Sequence, residues 1–187
     1  MKENAKDRLE RNAVAIHLNK RAGSPLEVGF KWSNLSSPNT KNIAASLQEI
    51  VGYFKNGQLS SRFGYAMKNW EIGLEGKWED FKNTAEFPWW HEAQKKALFK
   101  LLQRNSKDSA DNTIQQSLSR LFDTVFDSHL EIFDEIKKRI KKEERDDTRV
   151  FGKVVKEMNE KGIDTGWNTL TKLLILARFL AGESSEE

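Results

Sequence analysis

The sequence predicts an all-α protein: two packed helical bundles preceded by an extended N-terminal arm. Three observations carry this expectation. From residue 37 onward, apolar side chains recur at intervals of three and four, the period that lines one face of a helix. Short polar stretches and glycines divide these periodic segments into helical lengths. Only one segment, residues 25–33, alternates at the period of two that marks an extended strand.

Taken in order, residues 1–21 carry Leu9, Ala13 and Ile16 among basic residues, which predicts a modestly amphipathic helix. In SPLEVGFKW, Leu26, Val28, Phe30 and Trp32 alternate with other residues, so this piece is extended. With no second convincing strand in the chain, its pairing partner is expected to lie outside it. Residues 1–36 therefore form the arm.

Ser37 and Pro38 make a good helix opening, and Ile43, Leu47, Ile50, Val51 and Phe54 share one face until Asn56-Gly57 ends it. A shorter helix carries Leu59, Phe63, Met67 and Trp70, and after GLEGKWEDF the pattern resumes with Trp78 and Phe81. Pro88 introduces a helix striped by Ala93, Ala97, Leu98, Leu101 and Leu102. A polar linker at 104–112 then separates a first bundle, 37–108, from a second, 109–182.

The second bundle opens on Thr113 and Gln116, spaced as a capping box, ahead of Ile114, Leu118, Leu121, Phe122, Val125 and Phe126. Two further helices carry Ile132, Ile136 and Ile140, then Val150, Phe151, Val154, Val155 and Met158. Gly162 can close the latter in the left-handed conformation with Ile163 packing back on Met158, and Asp164 or Thr165 can cap the next helix. That final helix holds Trp167, Leu170, Leu173, Leu174, Leu176, Phe179 and Leu180, leaving little polar surface, so it is expected at the centre of a bundle. Residues 183–187 read as a frayed acidic tail.

The 187 residues contain no cysteine, which removes disulfides, thiolate metal sites and cysteine nucleophiles together. No apolar run approaches the roughly 18 residues of a membrane span, and the N-terminus lacks a signal-peptide core. A cytoplasmic protein with no membrane association is expected. HEAQK at 91–95 places Lys95 where a zinc protease needs its second histidine, and no phosphate-binding glycine loop is present. No catalytic residue, metal or cofactor is expected.

Net charge is only +3, so binding to a polyanion has to come from how the charges are distributed. AQKKALFKLLQRNSK, residues 93–107, holds Lys95, Lys96, Lys100, Arg104 and Lys107 with no acid. Lys96 and Lys100 fall one turn apart, away from the Ala97/Leu101 stripe, and Arg104 continues their row. Arg149, Lys153 and Lys156 form a second acid-free patch, and Arg120 projects away from the Leu118/Leu121/Phe122 face. FDEIKKRIKKEERDDTR is largely neutralised by Asp134/Lys138 and Glu135/Arg139 at four-residue spacing. Of the six tryptophans, Trp70, Trp78 and Trp167 fit apolar registers, while Trp89 and Trp90 cannot both face inward, so one of that pair is a candidate base-stacking platform.

In their order, LQEIVGYFKNGQLSSRF, FPWWHEAQKKALFKLL, TIQQSLSRLF and VFGKVVKEMNEKGIDTGWNTLTKLL resemble the small subunit of type I-E CRISPR Cascade over about residues 44–180. The resemblance implies a non-catalytic subunit, paired with a second copy of itself and with other Cascade subunits, whose basic groove steadies guide RNA and the displaced strand of target DNA in an R-loop. It also implies phosphate contacts at Arg120 and Lys153, matched by position to basic residues of the family, and a core role for Trp167. Ala93 stands where the family has a basic residue, with Lys95 and Lys96 two and three positions on. The expected nucleic-acid-binding residues are Lys95, Lys96, Lys100, Arg104, Arg120, Lys153 and Lys156.

A second likeness joins RNAVAIH at 11–17 to the arginine-to-histidine motif of the helical HEPN ribonucleases, which implies RNA cleavage by Arg11 and His17. The third reading is a protein-binding adaptor of a defence or toxin system, its arm at 25–33 added to a partner's sheet.

Overall fold

A computed structural model describes residues 13–19, 25–31, 42–72, 87–106, 112–142, 147–161 and 166–183. These residues are mostly helical, with one small two-stranded sheet. In chain order the elements are β1 (Ala13–Leu18), β2 (Leu26–Lys31), α1 (Ile43–Lys55), α2 (Phe63–Ile72), α3 (Phe87–Asn105), α4 (Asn112–Lys141), α5 (Asp147–Glu160) and α6 (Gly166–Glu183).

The arm corrects two expectations. Residues 13–18 are a strand rather than helix, and they are the antiparallel partner of β2, which therefore pairs within the chain. The register sets Val14 opposite Phe30, Ile16 opposite Val28 and Leu18 opposite Leu26, collecting the apolar side chains on one face. Leu26, Val28 and Phe30 are buried and join the main core, with Val14, Ile16 and Leu18 packed beside them. Two strands are marginal in water, so this apolar face, laid against α6, holds the hairpin in place. The helical expectation arose because Ala13 and Ile16 fit a three-residue step as well as Val14, Ile16 and Leu18 fit a two-residue one. Over so short a segment the period alone does not separate the two.

Asn42 caps α1, its Oδ1 accepting from the amides of Ala44 at 2.9 Å and Ala45 at 3.1 Å. The Ser37-Pro38 opening lies outside the described residues. The predicted stop is observed: Asn56 is the C-cap, and Gly57 follows at φ 67°, a conformation glycine adopts without a Cβ clash. Leu59 then leaves the helical pattern to bridge Ser106, and the Ser60 amide donates to the Asn105 carbonyl at 2.8 Å, tying the α1–α2 turn to the end of α3. Trp78, Phe81 and the Gly162–Thr165 turn lie outside the described residues.

Residues 112–141 form a single helix where two were expected. The run from Asp127 to Glu131 contains neither glycine nor proline, and the apolar stripe carries through it, so nothing interrupts the backbone ladder. Thr113 is inside this helix rather than before it, so the capping box does not form as expected.

The main core draws Ile43, Ile50, Phe63, Met67, Leu98 and Leu102 together with Leu118, Phe122, Trp167, Leu170 and Leu174. The two stretches expected to form separate bundles, 37–108 and 109–182, thus share one core in which α6 touches α1, α2, α4 and β2. The central position expected for α6 is observed, although Leu180 is exposed. A smaller cluster of Ile136, Val150, Val154 and Met158 joins α5 to the second half of α4.

The antiparallel crossing of α2 and α6 depends on Gly64. A Cβ there would lie 2.9 Å from Ile175 Cγ1 and 3.2 Å from its backbone nitrogen. Gly64→Val is expected to lose about 1 to 3 kcal/mol through overpacking, measured by urea unfolding. Gly64→Ala should lose less, because helix propensity returns up to about 1 kcal/mol.

Beside the smaller cluster, Glu157 binds Lys161 at 2.8 Å and also Arg139. The Lys161 ammonium hydrogen-bonded to it holds its carboxyl below the ordinary value of 4.5, and the charges of Lys161 and Arg139 add to this against the opposing effect of burial. A depressed folded-state pKa stabilises fully above the unfolded value and loses that contribution as pH falls through the folded one. Thermal melts should therefore place Glu157→Gln below the wild type at pH 7, with the gap closing on acidification below about pH 4. A gap that stayed constant from pH 7 to pH 3 would dismiss the ion cluster as its cause.

Candidate nucleic-acid interface

Helix α3 buries Gln94, Leu98 and Leu102, one residue per turn, against the core. Four-residue spacing then fixes where its cations go. Lys96, Lys100 and Arg104 advance together along the opposite side, and all three are exposed. Each step rises about 6 Å along the axis. Among the described residues none of the three has an ion-pair partner, although Glu92 stands one turn before Lys96. The row is therefore a line of unneutralised charge on a rigid element. Arg62, which the sequence reading did not single out, is exposed at the start of α2, two residues beyond the Ser60 link to Asn105.

Lys95 does not belong to this row. Its Nζ lies 2.9 Å from both carboxylate oxygens of Asp123 on α4 and 5.9 Å from the centroid of the Phe122 ring. One step along a helix turns a side chain by about 100°, which carries Lys95 off the outer face and toward α4. It cross-links two helices instead of standing in the open row, so its charge is matched by Asp123.

Arg120 is likewise engaged. Its Nη2 donates to Glu49 Oε2 on α1 at 2.8 Å and approaches Ser117 Oγ at 3.2 Å. Ser117 Oγ lies 2.6 Å from the same Glu49 oxygen and 3.0 Å from the Thr113 carbonyl; its one proton goes to the nearer, charged acceptor, and Tyr53 supplies its own when it meets Ser117 Oγ at 3.2 Å. Arg120 does project away from the Leu118/Leu121/Phe122 face, and there it meets a carboxylate 71 positions away in sequence.

Lys153 and Lys156 are exposed on α5. Lys156 stands 3.7 Å from Glu160 one turn on, with both side chains largely in water, an arrangement that contributes little. Helix α5 packs around Ile136, thirteen residues beyond the Asp123 link to α3, or about 20 Å along α4. The seven expected residues therefore divide into an open row on α3, two cations paired with acids across α4, and a separate pair on α5.

His17 lies on β1 rather than on a helix. Its Nδ1 meets Glu27 Oε1 at 3.0 Å and its Nε2 meets Asn19 Oδ1 at 2.8 Å. Both ring nitrogens serve the hairpin, and Arg11 lies outside the described residues, as do the Trp89 and Trp90 side chains. Among the described residues no group of three His, Asp or Glu side chains is placed to hold a metal ion, and no helix is long and apolar enough to cross a membrane. Comparison with protein-family models, curated proteins and solved structures returned no match.

Proposed function

We propose that this protein is a non-catalytic subunit that grips the sugar-phosphate backbone of nucleic acid, with the row Lys96, Lys100 and Arg104 as its principal contact. The observation that carries this reading is the row itself: three exposed cations, four residues apart, without carboxylate partners among the described residues. Such a line presents ammonium and guanidinium groups at regular steps, and backbone contacts of this kind are blind to base sequence. Lys153 and Lys156 form a second contact about 20 Å away along α4, reached by the same strand or by another. Lys95 and Arg120 support the scaffold.

The setting we infer is an RNA-guided CRISPR complex of type I-E, on the strength of the four stretches between residues 44 and 180 that resemble the Cascade small subunit. There, base pairing reads the target, and a subunit holding guide RNA and displaced DNA needs only charge and shape. The partners in this reading are the other Cascade subunits, a second copy of this chain, guide RNA and target DNA, in the cytoplasm. The test is the salt dependence of binding to a single-stranded oligonucleotide, compared between the wild type and a variant lacking the α3 row. An adaptor role with β2 added to a partner's sheet no longer rests on a strand without a partner in the chain, since β2 pairs with β1 along one edge.

A further inference from the structure

We propose that Glu49 withholds Arg120 from phosphate, so that the charge at position 49 sets how many cations the interface offers. This rests on the backbone-binding reading above and concerns the residues beside the α3 row.

Two ion pairs run across α4 in alternating sign: Glu49 of α1 to Arg120, then Asp123 to Lys95 of α3. They are built differently. The Lys95 side chain is 23% exposed and holds both oxygens of Asp123, which makes it a strut. Arg120 is 51% exposed and meets Glu49 through Nη2, leaving much of its planar fork facing water, where a phosphate could take two parallel hydrogen bonds. Arg120 is therefore the one of the two cations that nucleic acid can reach.

What opposes it is that Glu49, 40% exposed, is held beside Arg120 by a second hydrogen bond. Ser117 is fully buried, and its hydroxyl holds Glu49 Oε2 at 2.6 Å, the same oxygen that Arg120 binds. A phosphate arriving at Arg120 would meet this carboxylate within a few ångströms, and like charges at that separation repel. Counted with Glu49, Arg120 adds no net charge to the site. Glutamine at 49 keeps an acceptor for Ser117 and Arg120 while removing the negative charge, so the same geometry then presents a full cation. Glu49 is thus a positioning residue with an inhibitory charge.

The test compares binding of a fluorescent single-stranded oligonucleotide across a salt series for wild type, Glu49→Gln, Arg120→Ala and the double variant. One added phosphate contact steepens the slope of log affinity against log salt by about 0.7, which corresponds to about fivefold tighter binding at about 0.1 M salt relative to 1 M. Glu49→Gln should show this gain, and the gain should vanish when Arg120 is alanine. Glu131→Gln, an exposed acid farther along α4 whose turn-spaced neighbours are Asp127, Asp134 and Glu135, makes the same change in net charge and should leave the slope alone. A gain that survives in the Arg120→Ala background, or that Glu131→Gln reproduces, overturns the proposal. So does an unchanged slope in Glu49→Gln; if the α3 row variant still flattens the slope, the backbone-binding reading stands while this inference falls. A wild type whose binding ignores salt overturns both.

Discussion

Trp167→Ala is expected to cost about 4 kcal/mol of folding stability, the largest loss of any single truncation discussed for this protein. The indole is 2% exposed, its ring centroid is 4.5 Å from that of Trp70, and its Nε1 donates to the Met67 carbonyl at 3.3 Å. Alanine removes a large apolar surface, leaves a cavity between α2 and α6, and gives up the indole's bond to the Met67 carbonyl. Domains of this size hold roughly 5 to 15 kcal/mol in total, so the variant should stand near the edge of unfolding at 37 °C. Urea titration measures the loss directly. Trp167→Phe keeps an aromatic ring but not the donor, and should lose less than the alanine variant, with the hydrogen bond accounting for about 0.5 to 1.5 kcal/mol of its loss and the smaller ring for the rest. A loss under about 1 kcal/mol in Trp167→Ala would mean that α2 and α6 do not meet through this side chain.

Replacing Lys96, Lys100 and Arg104 together by alanine should reduce the steepness of the salt dependence by about 2, since each single-strand phosphate contact contributes about 0.7. At about 0.1 M salt that is roughly a hundredfold loss of affinity for a single-stranded oligonucleotide. The three side chains are exposed on α3, away from Gln94, Leu98 and Leu102, so the thermal melt should scarcely move. Fluorescence anisotropy over a salt series gives both slope and affinity. An unchanged slope would remove the interface and with it the proposed function. Lys95→Ala should behave in the opposite way: it breaks the link to Asp123 and lowers stability while leaving the slope nearly intact.

The contrast between those two lysines shows what was legible in the chain. The α3 row could be read directly because its spacing and the acid-free stretch around it are local properties. Lys95 looked equivalent to Lys96 on composition. What separates them is a rotation of about 100° and the presence of α4 on one side, and Asp123 is 28 positions away. The partner of Arg120 is hidden for the same reason, since Glu49 precedes it by 71 residues and nothing in either neighbourhood announces the other. The hairpin was half legible: β2 alternates clearly, but β1 is so short that its apolar residues satisfy two periods, and the pairing that decides between them is a contact between strands.

By itself the amino-acid order determined the helices α1, α3 and α6, the Asn56-Gly57 stop and the outward row on α3, because each follows from intervals of a few residues acting through backbone geometry. Only the tertiary structure decided that one core joins both halves, that β1 completes the hairpin, and which cations are cancelled by acids. The physical reason is range. Helical period and capping act within a turn or two of chain, whereas burial and charge neutralisation depend on neighbours that folding brings from tens of residues away.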